Sequence, residues 1–307
     1  MSFIKSIWLR ELQRILYFGN EFMRNATDHS PYVNAEFVKV PQETEAPDVV
    51  KNNQVLPMTV NRLADGTLSY SMDVYDTKPT LITNLDKLQT EYDLRSSLLE
   101  SHTSVLRDRI AFDLLATWLK NLPAANIVRT TGAATLETAA GATGNRKIVT
   151  RKDISELARV LDNQKVPATG RYLLMSPDMY YQIFEDTQLI NSMVMGGVSV
   201  PTNNLPMVHG FKIMVRGGLP VFDNAGTPAV KALDNDGDYV TAGSDNLACI
   251  AWHASFVARA EGAIKVFMNL DDATYGGDIF RSQLLFGGTR LRNDAKGIVA
   301  LVQASAS

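Results

Sequence analysis

Apolar and polar positions along the chain follow two rhythms, and each marks out elements. Ile7, Leu12, Ile15 and Leu16, with Trp8 and Phe22 nearby, share one broad face at helical spacing, so a helix is expected over 6–18, closed by Gly19-Asn20. From 27 to 54 the rhythm dissolves among Pro31, Pro41 and Pro47, and the pattern predicts an extended arm with at most one short strand at 37–40. Strict alternation returns with Leu68, Tyr70, Met72 and Val74. That run faces an earlier one, 55–63, across Ala64-Asp65-Gly66-Thr67, and Asp-Gly between two such runs is a strong hairpin signal. A long hairpin flanked by Pro57 and Pro79 is expected to project and to lie on another copy of the chain, because an isolated hairpin is marginal in water.

Helical spacing then dominates. Leu88, Tyr92, Leu99, Leu106, Ile110, Leu114 and Trp118 recur at threes, fours and sevens, with no Gly or Pro before Pro123, which predicts one long helix over 86–122. Small and polar residues at 130–144 read as a mobile loop. A helix over 150–163 has Thr150 and Asp153 as a cap pair, and a strand over 171–175 leads to a helix with Ser176 as N-cap and Pro177 in its first turn. The segments 191–206 and 223–246 read as loops, and 211–215 and 219–222 as strands around Gly217-Gly218. The last third reads as strands at 247–257 and 263–268, a turn at 271–277, and a closing pair at 280–286 and 297–303.

Composition narrows the function. Of 307 residues, 30 are Lys or Arg and 33 are Asp or Glu, a net charge of -3 that lacks the basic excess of a dedicated nucleic-acid binder. A single cysteine, Cys249, leaves no disulfide framework and no Cys-rich zinc site, and fits a reducing compartment. No stretch has the signature of a signal peptide or a membrane-spanning helix, so the product is expected to be soluble and intracellular when made.

The chemical motifs fail one by one. Asp234, Asp236 and Asp238 alternate like the start of a calcium loop, but Tyr239 stands where glycine is required and Asp245 where a bidentate glutamate is usual, so a solvated Asp-Gly turn is the simpler account. The glycines at 141–147 lack the spacing of a phosphate-binding loop. His29, His102, His209 and His253 are too far apart for a local zinc site, and Cys249 with His253 lies about 13 Å apart along a strand. Asp271-Asp272 and Glu185-Asp186 are sequence neighbours that do not face each other, so an acid/base pair would need a tertiary contact. Met193, Met195, Met207 and Met214 read as adaptable packing. No catalytic residue and no cofactor is expected.

An arm, a projecting hairpin, a very long helix, a small α/β region and late strands make sense together when neighbouring copies cover the exposed apolar parts. That α+β order resembles the major capsid (coat) protein of tailed double-stranded DNA bacteriophages, the Hong Kong 97 fold family. The most specific match is Val166-Pro167-Ala168-Thr169-Gly170-Arg171-Tyr172-Leu173-Leu174-Met175-Ser176-Pro177-Asp178-Met179-Tyr180, which looks like the family's axial domain. His209-Gly210-Phe211-Lys212-Ile213, Gly218-Leu219-Pro220-Val221, Tyr275-Gly276-Gly277-Asp278, Gly287-Gly288-Thr289-Arg290 and Lys296-Gly297-Ile298-Val299 continue the resemblance.

The resemblance implies an N-terminal arm at 1–54, an extended β-hairpin (E-loop) at 55–85, a peripheral domain with its spine helix at 86–149, a central-sheet axial domain at 150–250 and peripheral return strands at 251–307. It implies hexamers and pentamers of an icosahedral virion shell around non-specifically packaged DNA, made in the host cytoplasm, with scaffolding, portal and decoration proteins as partners and no membrane. Assembly contacts are expected at Trp8, Leu12, Asp65, Gly66, Tyr70 and Met72. With the arm helix starting almost at Met1, no removable scaffolding segment is expected. Lys78, Asn269 and Asn293 match no cross-linking pattern. An encapsulin-like compartment shell shares the same implied fold, and a hydrolase with an acid/base pair assembled in the tertiary structure is the enzymatic alternative.

Overall fold

The computed structural model describes residues 20–34, 37–43, 51–52, 65–83, 94–136, 138–139, 141–184, 207–231 and 242–306, with the backbone alone at 41–43, 65–66, 94–97 and 99. The elements in chain order begin with β1 (Thr27–Asp28), β2 (Val33–Asn34), β3 (Phe37–Glu43), β4 (Asp65–Ser71), β5 (Asp73–Asp76) and β6 (Thr80–Thr83). Then come α1 (Leu94–Leu119), β7 (Ile127–Arg129), β8 (Ala134–Thr135), β9 (Arg146–Lys147), α2 (Arg151–Asn163), β10 (Arg171–Met175) and α3 (Pro177–Phe184). The last part holds β11 (Met207–Val208), β12 (Phe211–Val215), β13 (Val221–Phe222), β14 (Asn246–His253), β15 (Val257–Asp272), β16 (Gly277–Arg290) and β17 (Ile298–Val302).

A mixed sheet in the order β11-β12-β10-β14-β17-β7, with β13 added to β14, forms the centre. Alternation sends Leu174, Ile250, Trp252, Ala300 and Val302 to one face, against Ile110, Leu115 and Trp118 of α1. Leu173, Met175, Cys249, Ala251, Val299 and Leu301 go to the other, against Ile154, Leu157 and Leu161 of α2 and Met179 and Ile183 of α3. Burial on both faces explains why β17 and the 247–252 stretch of β14 are unbroken apolar runs.

Local signals set the helices. The Asp153 carboxylate accepts from the Thr150 backbone N–H at 2.9 Å, the reciprocal half of a capping box, and also from Thr131 Oγ1 at 2.7 Å. Ser176 Oγ accepts from the Met179 N–H at the start of α3. Helix α1, about 39 Å long at 1.5 Å per residue, ends at Leu119, three residues before the expected stop. There Asn121 takes a positive φ of 54°, a left-handed turn that closes the helix ahead of Pro123. The expected start at Asp86 lies outside the described residues.

Beneath α1, Trp118 and Trp252 lie 5.9 Å apart, with Phe22 edge-on to both. Their ring N–H groups donate to Ala258 O and Asn25 O, so burial leaves neither polar atom unpaired.

The expected 247–257 strand is broken. His253 Nδ1 accepts from the Ser255 N–H, a 3-10 turn follows at Ala254–Phe256, and the chain re-enters a second sheet as β15. Strands β15 and β16 form a long antiparallel ribbon with a register shift between Glu261 and Ile264. Strand β1 joins β15, while β5 and β6 pair with successive halves of β16. Glycine is required at 288, where a Cβ would come within 2.2 Å of Leu114 Cδ1 and hold α1 off the ribbon. The expected closing pair does not form: 280–286 lies in the ribbon and β17 in the central sheet, between β14 and β7.

The hairpin forms with a different partner. Strand β4 pairs with β3 from Phe37↔Ser71 to Glu43↔Asp65, so Asp65 and Gly66 are strand residues and not a turn. The segment expected to be an arm supplies the other strand, and the expected strand at 55–63 lies outside the described residues. Nor is 130–144 a free loop where it is described. Arg146, 3% exposed, donates to the carbonyls of Thr143, Asn145, Gly243 and Asp245.

Candidate functional site

Most of the described titratable groups singled out from the sequence are engaged in bonds of the fold itself. Cys249 is fully buried, 2.8 Å from Met179 Sδ, and burial pushes its thiol up to about 12. His253 Nε2 donates to Thr169 O at 2.8 Å, because its other nitrogen already accepts from Ser255. His102 sits between the hydroxyls of Thr77 (3.2 Å) and Thr80 (2.9 Å), clamping the β5–β6 segment onto α1. His29 Nδ1 lies 3.3 Å from the Tyr70 hydroxyl. Burial depresses the pKa of all four histidines, His209 included. Asp271 and Asp272 organise the turn ahead of β16: the Asp271 N–H donates to Asp278, and Asp272 accepts from Thr274 N. Among the described residues no group of His, Cys, Asp or Glu could hold a metal ion. Asp234, Asp236 and Asp238, Glu185-Asp186, Trp8 and Leu12 lie outside those residues.

What the described surface offers is uncovered apolar area. On the hairpin, Val38 and Tyr70 are paired across the strands, as are Val40 and Leu68, and the four share one face. At the hairpin base that face is closed: Val38 and Met72 pack on Ala260 of β15. Met72, expected as an assembly contact, is 5% exposed and belongs to the subunit's own core. Further along, Val40, Leu68 and Tyr70 are only half-buried, and Phe37 on the opposite face is exposed. Burial, then the charge of Asp28, pushes the Tyr70 hydroxyl above its ordinary range, so it stays neutral.

A cleft of about 740 Å³ runs between β5–β6 and the outer side of α1. Val74 and Val105 are exposed on it, at 49% and 65%, with Phe112 in its wall. Asp76, Asp108 and Asp113 outnumber Lys78 and Arg109 along its sides. A second cleft, about 430 Å³, lies between the turn Glu21–Asn25 and β12. Arg216 links the two: its guanidinium lies 4.6 Å from the Phe112 ring centre, and its Nε donates to Asn20 Oδ1 at 2.8 Å. Sequence reading missed both clefts because each is assembled from distant segments. Only the alternation around Tyr70 pointed toward such a surface.

No family model matches the chain, and no curated protein matches it. Solved structures do. The capsid of the cyanophage P-SCSP1u is similar over 92% of this chain and 87% of its own, with a TM-score of 0.66 and 17% identity. The capsid of Ralstonia phage GP4 is similar over 92% and 88%, with a TM-score of 0.61 and 12% identity. A virus-like particle from Pyrococcus furiosus is similar over 98% of both chains, with a TM-score of 0.54 and 10% identity. The chain therefore has the capsid-type fold that its order of elements resembles.

Proposed function

We propose that the chain is the major capsid subunit of a tailed bacteriophage, a structural protein and not an enzyme. It assembles as hexamers and pentamers into an icosahedral virion shell around double-stranded DNA. The observation that carries this reading is the similarity to phage capsid structures over nine-tenths of the chain. In this reading the β3–β4 hairpin is the projecting loop, α1 the spine helix of a peripheral domain completed by β15 and β16, and the central sheet the axial domain, and the half-covered apolar stripe of the hairpin supports it. In the shell, one subunit's hairpin lies in the cleft along a neighbour's α1, covering Val74 and Val105. Many such modest contacts per subunit close the shell by multivalency. Scaffolding and portal proteins, with decoration proteins, are the remaining partners of this reading.

Electron microscopy of the purified chain, alone and with its co-expressed neighbouring genes, tests the proposal. Closed shells or flat hexamers are expected; compact monomers under every assembly condition would refute it. A second, less supported reading is a compartment shell that houses protein cargo; the virus-like particle is similar over 98% of both chains, but with a lower TM-score than the phage capsids. Shells that package enzyme and exclude DNA would select it.

A further inference from the structure

Strand β5 is the last strand of its sheet: it pairs with β16 and, among the described residues, with nothing on its other side. The Thr77 N–H donates to Ser282 O, so by alternation Tyr75 and Asp73 also turn their main-chain groups to β16. Those of Val74 and Asp76 face outward. Side chains alternate as well: Tyr75 packs on the core under α1, and Val74 and Asp76 point to the other face. The 740 Å³ cleft therefore has an open main-chain edge as one wall. Its other wall is the outer line of α1, formed by Ser101, Val105, Asp108 and Phe112 at helical spacing. Val105 on that line is 65% exposed. An open edge beside an apolar helical line is a site for an added strand, which bonds the edge through its main chain and lays alternate side chains on the helix.

The geometry points to one occupant: strand β4 of a second copy, added to the outer edge of β5 with Leu68 and Tyr70 laid on α1. This inference rests on the assembly reading above and deepens it by naming the strand, the edge and the face that meet. Parity carries it. The Asn34↔Phe37 pair closes a two-residue connection, so Phe37 turns its main chain to β2, and Val38 and Val40 turn theirs to Tyr70 and Leu68 of β4. That leaves the main-chain groups of Thr67, Ser69 and Ser71 outward along the end of the hairpin sheet, where nothing among the described residues pairs with them. Bonding Ser69 to Val74 or Asp76 puts their side chains together on the face away from α1, and Leu68 and Tyr70 then turn onto Val105 and Phe112. The opposite parity on either strand would lay serine on the helix and leave the apolar pair in water. Length and charge also agree. The 67–71 stretch of β4 spans about 17 Å, and the line from 101 to 112 on α1 also spans about 17 Å. Asp73 and Asp76 flank the β5 edge, and 67–71 carries no charge to oppose them. Because the added strand and the accepting edge lie on one chain, the contact is head-to-tail, the kind that closes a ring of subunits.

The test uses the full chain. Val74→Pro removes an outward N–H and leaves the β16 ladder intact. The isolated subunit is expected to keep its melting temperature while shell yield falls about tenfold, the equivalent of one lost contact of modest strength. Ser69→Cys is combined in turn with Val74→Cys and with Asp76→Cys. One of these two pairs is expected to give disulfide-linked multimers when shells are oxidised, against a silent background because the native Cys249 is fully buried. Lys39→Cys, on the neighbouring strand of the hairpin, is expected to stay unlinked with the same partners. Should Val74→Pro lower the melting temperature, the cysteine pairs decide. If the unsubstituted chain forms shells and either Val74→Pro keeps its fold and assembles normally or neither Ser69 pair links, this inference is wrong and the assembly reading stands. Linking through Lys39 in place of Ser69 would overturn it in favour of β3. If the unsubstituted chain never forms shells, the assembly reading falls and this inference falls with it.

Discussion

The central sheet and the β3–β4 hairpin are built from similar residues and end in opposite situations. Strand β17 is buried along its whole length, with α1 on one side and α2 on the other. The hairpin has a buried root at Val38 and Met72, and then an apolar stripe that its own subunit only half covers. The sheet has both faces covered from within one chain. In the proposed shell the hairpin and the cleft beside α1 are each half of an interface, and a subunit that leaves apolar area exposed on both is suited to associate.

Substitutions can break this contrast, and the largest expected effect lies in the complete part. Trp118→Ala empties the site between Phe22, Trp252 and the ribbon and should cost about 3–5 kcal/mol. Chemical denaturation of the isolated subunit measures it, with assembly lost as a consequence. Next comes the junction between the two parts. His102→Ala removes both links to the β5–β6 segment and should cost about 1–2 kcal/mol, read as a lower denaturation midpoint.

The same histidine gives a pH dependence. A depressed histidine is neutral in the folded chain, so its contribution is complete above the ordinary value of 6.5 and is lost as pH falls through the lowered folded value. Melting temperature should hold steady above pH 6.5 and decline below it, with His29 and His253 acting in the same direction. Asp28, also depressed in the fold, adds its loss only below about 3.8, its ordinary value. Burial alone would raise Asp28, but Ser30 and Arg259 outweigh it. Smallest for the subunit, and most telling, is Val105→Asp on the cleft. It should change subunit stability by about 0.5 kcal/mol or less, yet prevent shell formation as seen by light scattering.

The parts legible in the sequence were those whose causes are local. Thr150 with Asp153, and Ser176 with Pro177, mark helix starts through backbone groups within three residues. The apolar runs of β10, β14 and β17 reveal strands covered on both faces. Partners at long range were not legible. Asp65-Gly66 reads as a tight turn, but β3 holds the continuous ladder that makes both residues strand. The 280–286 run and β17 look like neighbours and join different sheets, because the first pairs with β15, β5 and β6 and the second with β14 and β7, partners that the local pattern hides. The alternation at Tyr70 showed that a surface needed covering. The clefts stayed hidden because residues 74–80 meet 101–113, and 21–25 meet 212–216, only in the folded chain.

Amide hydrogen exchange, compared between isolated subunits and assembled shells, tests the central claim most directly. The account predicts new protection on assembly at β4, β5 and the 101–112 stretch of α1, and no change in β10, β14 and β17, which are already protected in the subunit. Equal protection of the hairpin and cleft before and after assembly, or slowing confined to the central sheet, would contradict it.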